Sequence, residues 1–324
     1  MIDTGRMYQT GSLSRYMLSQ GVGMISSLHC PGSYCGRIRL GDSGNFSACG
    51  ACPRGFRVEA SVCEECSANP GVYDWLYLGF VVLLGIDVQW WIIDQSRVVL
   101  GHRVFTLQLC SLLENVLSAL LSLLSFAPWG SLQLTTCPAK RVSDWYTLLH
   151  NPSPYYKQTL HCSQEAVYPL YSIVFVYLGY SLVLMLVLRG LLIPHVRWSK
   201  ESARKTVYLT LYAIPLMALC HAVLAGVLYY SFPYLVMVVS VVSIASHLAG
   251  RERQSVTALQ QQSLEPRNLL IILSHWLVHA YGLIAATVDE HGFDAFWMLL
   301  LAPLPTLFYI YTARFTDPEM LLTY

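Results

Sequence analysis

Long apolar runs alternate with short polar segments over most of this chain. A helix needs about 20 mostly apolar residues to cross the hydrocarbon core of a bilayer. Seven runs are candidates: Asp74–Ile93, Val104–Phe126, Val167–Leu188, Val207–Tyr230, Tyr234–Leu248, Leu269–Val288 and Ala295–Ala313. The first and sixth runs contain more polar residues than is usual for a span, and the fifth is short. Only Ser231 to Pro233 separate the fourth run from the fifth, which predicts a tight hairpin. The pattern predicts an all-α polytopic membrane protein with about seven transmembrane helices.

The remaining sequence divides the chain into parts of different character. Residues 1–29 predict a poorly ordered N-terminal extension, and residues 30–72 form a small Cys-rich segment. The seven-helix domain occupies residues 73–318 and contains one long loop, 127–166. Residues 319–324 are left as a short tail.

Composition excludes several classes of function. Charged residues make up 12% of the chain, whereas soluble domains carry about 25%. The net charge of +1 gives no electrostatic support for a nucleic-acid partner. No Gly-rich phosphate loop, Ser-His-Asp signature or carboxylate-rich metal motif occurs in the sequence.

Basic residues in the loops predict the orientation in the membrane. The segments 95–103, 189–206, 249–268 and 314–324 hold eleven Lys and Arg residues, and the intervening segments 127–166, 231–233 and 289–294 hold three. Cytosolic loops carry the excess of Lys and Arg, so the first group is predicted to be cytosolic. The N-terminus is then lumenal and the C-terminus cytosolic. A glycosylation sequon at Asn45 agrees with this orientation, and the basic loops are expected to contact anionic membrane lipids.

Eight cysteines fall on the predicted lumenal side. Six of them lie in the Cys-rich segment: Cys30, Cys35, Cys49, Cys52, Cys63 and Cys66. Disulfides persist in oxidising compartments, and a segment with few large apolar residues needs cross-links to fold. Three disulfides are therefore favoured here, with Cys137 and Cys162 of the long loop paired to each other. Zinc is the alternative for the Cys-x-x-Cys pairs, and free thiols are the alternative for the loop cysteines.

Two histidines within the sixth apolar run are candidate functional residues. His275 and His279 are four residues apart and so share one helix face. They could bind a metal, with Glu114 of the second run as a third ligand. Hydrogen bonding between helices by neutral histidines is the favoured interpretation, and a proton or substrate pathway is a third. Metal hydrolases with such a pair usually have Glu after the first His, where this chain has Trp276.

Several long, aromatic-rich strings resemble one family of membrane proteins. The strings are YDWLYLGF (73–80), SDWYTLLHNPSPYY (143–156), EAVYPLYSIVF (165–175), LYYSFPY (228–234), SHWLVHAYG (274–282) and LFYIYTARFTDP (307–318). They resemble the JAMP family, the stress-kinase (JNK)-associated membrane proteins of the endoplasmic reticulum. The six N-terminal cysteines also match in order, and Glu114 occupies a position that is acidic in that family.

The resemblance implies a multi-pass adaptor of the endoplasmic reticulum membrane. Such an adaptor would recruit proteasomes and ubiquitin ligases for the degradation of misfolded proteins. It would also bind a stress-activated kinase and influence how long that kinase stays active. We expect this adaptor to have no cofactor and no catalytic activity. An intramembrane metal enzyme using His275 and His279, and a transporter or receptor, are the alternatives.

Contact with ubiquitin ligases would make accessible cytosolic lysines candidate acceptors. The predicted topology leaves two lysines facing the cytosol, Lys200 and Lys205 in the 189–206 loop. Lys205 borders an apolar run, where its ammonium can turn toward the membrane interface. Lys200 is therefore expected to be the better acceptor.

Overall fold

A computed structural model describes residues 29–41, 45–95, 104–150, 161–195, 200–250 and 254–315. The predicted extension up to residue 28 and the predicted tail of 319–324 lie outside these residues. The chain divides into two units. Unit 1 contains the residues up to 70 together with 96–219, and unit 2 contains 71–95 together with 220–324.

The described residues are mostly helical, as the apolar pattern predicts. The α-helices are α1 Val72–Asp94, α2 Val104–Leu124, α3 Leu170–His195, α4 Lys200–Ala249, α5 Val256–Ser263, α6 Pro266–His291 and α7 Leu304–Thr312. Five of them, α1 to α4 and α6, are long and apolar enough to cross a membrane, and a shorter apolar stretch covers Trp297–Thr312. Their outer surfaces carry exposed large apolar side chains such as Phe105 and Tyr212, which suits contact with lipid. The predicted fold class is confirmed.

The predicted hairpin at Ser231–Pro233 is wrong, because α4 remains helical through these residues. Pro233 has no backbone N–H, which leaves the carbonyl of Tyr229 without its helical donor. The hydroxyl of Tyr73 donates a hydrogen bond of 2.6 Å to this carbonyl. Proline is tolerated in an apolar helix when another donor satisfies the freed carbonyl.

Unit 1 buries polar side chains between its helices and exposes apolar ones. The buried face of α2 contains five polar residues at helical spacing: Ser111, Glu114, Asn115, Ser118 and Ser122. The hydroxyl of Tyr177 on α3 donates a 2.6 Å hydrogen bond to the side-chain carbonyl of Asn115. Helix association in lipid relies on small residues and such hydrogen bonds, because apolar surfaces gain nothing by leaving apolar surroundings.

The cap, comprising residues 29–41 and 45–70, precedes α1 and belongs to unit 1. It contains two antiparallel hairpins, β1 Arg39–Leu40 with β2 Asn45–Phe46 and β3 Phe56–Glu59 with β4 Val62–Glu65. The second hairpin turns through Ala60 and Ser61 at positive φ values of 47° and 67°, as a type I′ two-residue turn requires.

Candidate functional site

All eight cysteines predicted to be oxidised form disulfides in the structure. Two bonds lie within the cap, Cys30–Cys49 and Cys52–Cys63, and two join it to the long loop, Cys35–Cys162 and Cys66–Cys137. The expected pairing of Cys137 with Cys162 is therefore wrong, as is the expectation of three bonds within the cap. Each Cys-x-x-Cys pair contributes to two different disulfides, so neither is free to bind zinc.

Packing of the loop against the cap explains this connectivity. The backbone N–H of Thr136 donates to the carbonyl of Ala68 in the cap at 2.7 Å. The backbone N–H of Cys137 donates to the carbonyl of Tyr168, just before α3, at 2.8 Å. These bonds bring Cys137 to a Cα–Cα distance of 4.8 Å from Cys66, which suits a disulfide. The two segments must accordingly lie on the same side of any membrane that α2 and α3 cross.

A buried carboxylate reinforces the contact between cap and loop. Asp144 is 3% exposed and accepts hydrogen bonds from the Tyr34 hydroxyl at 2.9 Å and from Arg57 at 3.1 Å, both in the cap. It also accepts from the backbone N–H groups of Lys140 and Arg141. Burial at this contact raises the pKa of the Tyr34 hydroxyl. Buried charges are tolerated when they are paired and hydrogen-bonded, and Asp144 meets both conditions.

The predicted sequon lies on the surface of the cap. Asn45 is exposed at the start of β2, opposite Leu40 of β1. The hydroxyl of Ser47, the third sequon residue, accepts a 2.9 Å hydrogen bond from the backbone N–H of Ile38. Glycosylation of Asn45 stays a prediction.

The most buried ion pair of the described residues joins two candidate spans. Glu114 on α2 and Arg189 on α3 are both 0% exposed. Arg189 Nε donates to Glu114 Oε1 at 2.9 Å, and Arg189 Nη2 donates to Glu114 Oε2 at 2.8 Å. Such bidentate, charge-assisted bonds are stronger than neutral ones. Glu114, considered above as a metal ligand, is thus the counter-ion of an arginine.

Two further side chains contact this pair. Thr210 on α4 accepts from Arg189 Nη1 at 3.1 Å and donates to the Thr206 carbonyl at 2.9 Å. The Cys110 thiol donates to Glu114 Oε1 at 3.3 Å. The network therefore links α2, α3 and the part of α4 that belongs to unit 1.

Sequence reasoning assigned Arg189 to the basic 189–206 loop and missed its role. The signal available was the apolar stretch that continues after it, from Gly190 to Ile193. An arginine followed by another apolar turn lies within a span, and there it requires a partner.

The two candidate histidines have different surroundings within unit 2. Nδ1 of His275 lies 2.7 Å from the Ile271 carbonyl, and Nε2 lies 2.8 Å from the Ser243 hydroxyl on α4. His279 is buried, and its Nδ1 has no hydrogen-bond partner among the described residues. Within the described parts of the chain, no group of three or more His, Cys, Asp or Glu residues is placed to hold a metal ion. His275 thus has the geometry of hydrogen bonding between helices, whereas this interpretation stays a prediction for His279.

Comparison with known proteins gives the family. The family model of the JNK1/MAPK8-associated membrane protein matches residues 30–318. This chain belongs to that family. The mouse protein of that name is 40% identical over 303 residues, which cover 91% of this chain and 96% of the relative. The human protein is 38% identical over 300 residues with the same coverage, and a Caenorhabditis elegans homolog is 30% identical over 280 residues, covering 85% and 86%. No solved structure matches.

Three of the six aromatic strings that carry the resemblance to the JAMP family pack against one another in unit 2. Tyr73 and Tyr77 of α1 both have ring centroids about 5 Å from that of Tyr229 on α4, at 5.0 and 5.1 Å. The Tyr229 hydroxyl donates to the carboxylate of Asp74 at 2.7 Å. Tyr281 on α6 donates to the carbonyl of Leu76. Three strings distant in sequence thus form one interior, which gives their aromatic content a packing role.

The predicted ubiquitin acceptors lie at the start of α4. Lys200 is its first residue, and Lys205 is exposed about one turn and a half further on. The basic loop is therefore shorter than predicted, because α3 extends to His195 and α4 begins at Lys200.

Proposed function

We propose that this chain is an adaptor of the endoplasmic reticulum membrane that binds a JNK-class stress-activated kinase. It recruits proteasomes and ubiquitin ligases for the degradation of misfolded proteins, and it influences how long the bound kinase stays active. The observation that carries the proposal is the family match over residues 30–318, together with relatives named for association with the kinase JNK1/MAPK8.

The disulfides support a lumenal position of the cap. Four disulfides in unit 1 require an oxidising compartment, which the endoplasmic reticulum lumen provides. An odd number of crossings then places the C-terminus in the cytosol. The structure has five candidate spans and the sequence predicts seven. Either number of crossings is odd, so both give a cytosolic C-terminus. Protease treatment of sealed microsomes should remove a C-terminal tag and spare an N-terminal one.

The polar contacts within the spans support an adaptor without catalysis. Both carboxylate oxygens of Glu114 accept from Arg189, and both ring nitrogens of His275 have hydrogen-bonding neighbours. These groups serve to join helices, so they lend no support to a metal-dependent reaction. The partners would instead dock on the cytosolic segments.

Proximity labelling in cells tests the adaptor proposal. A labelling enzyme fused to the C-terminus should mark the kinase, proteasome subunits and membrane ubiquitin ligases. The same enzyme fused to the N-terminus should mark lumenal proteins instead. Labelling of neither the kinase nor degradation components from the C-terminal fusion would contradict the proposal.

A further inference from the structure

One edge of the cap rests on the ends of two candidate spans. The Arg54 guanidinium lies 5.2 Å from the ring centroid of Phe126 and 5.6 Å from that of Tyr168. Phe126 is two residues beyond the end of α2, and Tyr168 is two residues before the start of α3. The turn that carries Arg54 is therefore positioned at the level where these helices leave the hydrocarbon core.

The long loop approaches the same level. The ring of Trp145 packs against that of Tyr171, in the first turn of α3, with centroids 6.4 Å apart. The Thr147 hydroxyl donates to the carbonyl of Gln164 at 2.9 Å. A short 3-10 helix, Thr147–His150, follows Trp145 and is fixed close to the start of the span.

This short helix carries two strongly exposed apolar side chains. Leu148 is 68% exposed and Leu149 is 78% exposed. Trp129, five residues after the end of α2, is 76% exposed. Adjacent exposed leucines in a polar loop are unfavourable in water, and apolar patches rimmed by polar residues mark interaction sites.

We propose that Leu148, Leu149 and Trp129 insert into the phospholipid leaflet on the cap side of the membrane. The cap and the loop then lie on the bilayer surface rather than projecting from it. The packing of Trp145 on Tyr171 and of Arg54 on Phe126 holds the loop and the cap beside the ends of the spans. Lipid is therefore the partner that we assign to the exposed apolar side chains. Tryptophan favours the interfacial level, apolar side chains of surface-lying segments insert about 5–10 Å, and Arg54 is placed to meet lipid phosphates.

Fluorescence quenching by lipid tests this proposal on the full-length, disulfide-intact protein. An environment-sensitive fluorescent amino acid is placed at position 149, and the protein is reconstituted in phospholipid nanodiscs. The matched control carries the same residue at position 38, where Ile38 is 40% exposed beside the β1–β2 hairpin. Phospholipids brominated near the headgroup end of their acyl chains serve as the quencher.

The proposal expects a blue-shifted emission at position 149 and loss of most of its intensity in brominated lipid. The control at position 38 should keep its intensity. Equal, weak quenching at both positions would overturn the proposal, as would equal, strong quenching, because the contact would then not be specific to this segment. A blue-shifted emission at position 149 without quenching by brominated lipid, together with cross-links between copies of this chain, would also overturn the proposal. These outcomes do not depend on the adaptor function.

Discussion

Removing one member of the Glu114–Arg189 pair should destabilise this protein more than a change at its surface. Glu114→Gln keeps the shape of the side chain but removes the charge that compensates Arg189. Both groups are 0% exposed, so the guanidinium would remain buried without its counter-ion, although the Thr210 hydroxyl would still accept from it. Breaking a buried ion pair by removing one partner costs about 3–5 kcal/mol. The retained amide oxygen of Gln can accept one bond, so we expect the lower end of this range.

The double variant Glu114→Leu with Arg189→Met separates charge burial from packing. It removes both desolvation penalties and replaces the pair by apolar groups of similar size. Such replacements are often neutral or stabilising. We therefore expect the double variant to be more stable than Glu114→Leu alone or Arg189→Met alone, with a coupling energy of about 0.5–3 kcal/mol between the two positions.

Detergent denaturation of the purified protein measures these differences. The free energy of unfolding is obtained from titration with sodium dodecyl sulfate in mixed micelles, and abundance in cells is measured in parallel. Arg204→Gln, at an exposed position on α4, controls for the loss of a charge. The reasoning is refuted if Glu114→Gln is no more destabilising than this control. It is also refuted if the destabilisation of the double variant equals the sum of those of Glu114→Leu and Arg189→Met.

Three further predictions concern the cap, its loop and the start of α4. Peptide mapping without reduction should recover Cys66 joined to Cys137, and recovery of Cys137 joined to another cysteine would contradict the fold of unit 1. Burial raises the pKa of Glu165 above its ordinary value of 4.5, so the folded state binds the proton more tightly. The stability that this proton binding contributes is present at low pH and is lost as the pH rises through the raised pKa. The free energy of unfolding of Glu165→Gln, measured by denaturation at a series of pH values, should not show this decline. Lys200→Arg with Lys205→Arg should remove most ubiquitin from the inserted protein in cells, and persistent modification in the 127–166 loop would contradict the topology.

The sequence by itself determined most of the helical elements and the oxidation of the cysteines, although it wrongly divided α4 at Ser231–Pro233. Backbone groups in lipid must be satisfied within a helix, so an apolar run of sufficient length specifies a span without reference to the rest of the fold. The first run was predicted as Asp74–Ile93 and forms α1 Val72–Asp94. Likewise, a segment poor in large apolar residues required cross-links whatever their connectivity.

Only the tertiary structure decided which residues meet. Cys35 bonds to Cys162 across a sequence separation of 127, and Cys66 bonds to Cys137 across 71. A disulfide depends on Cα atoms less than about 7 Å apart, and the packing of the loop on the cap sets that distance. The sequence likewise assigned Arg189 to a loop, and only the packing of α2 against α3 shows that it pairs with Glu114. Local pattern fixes how a segment satisfies its own backbone, whereas the partner of a buried charge or thiol depends on distant segments that come together only in the fold.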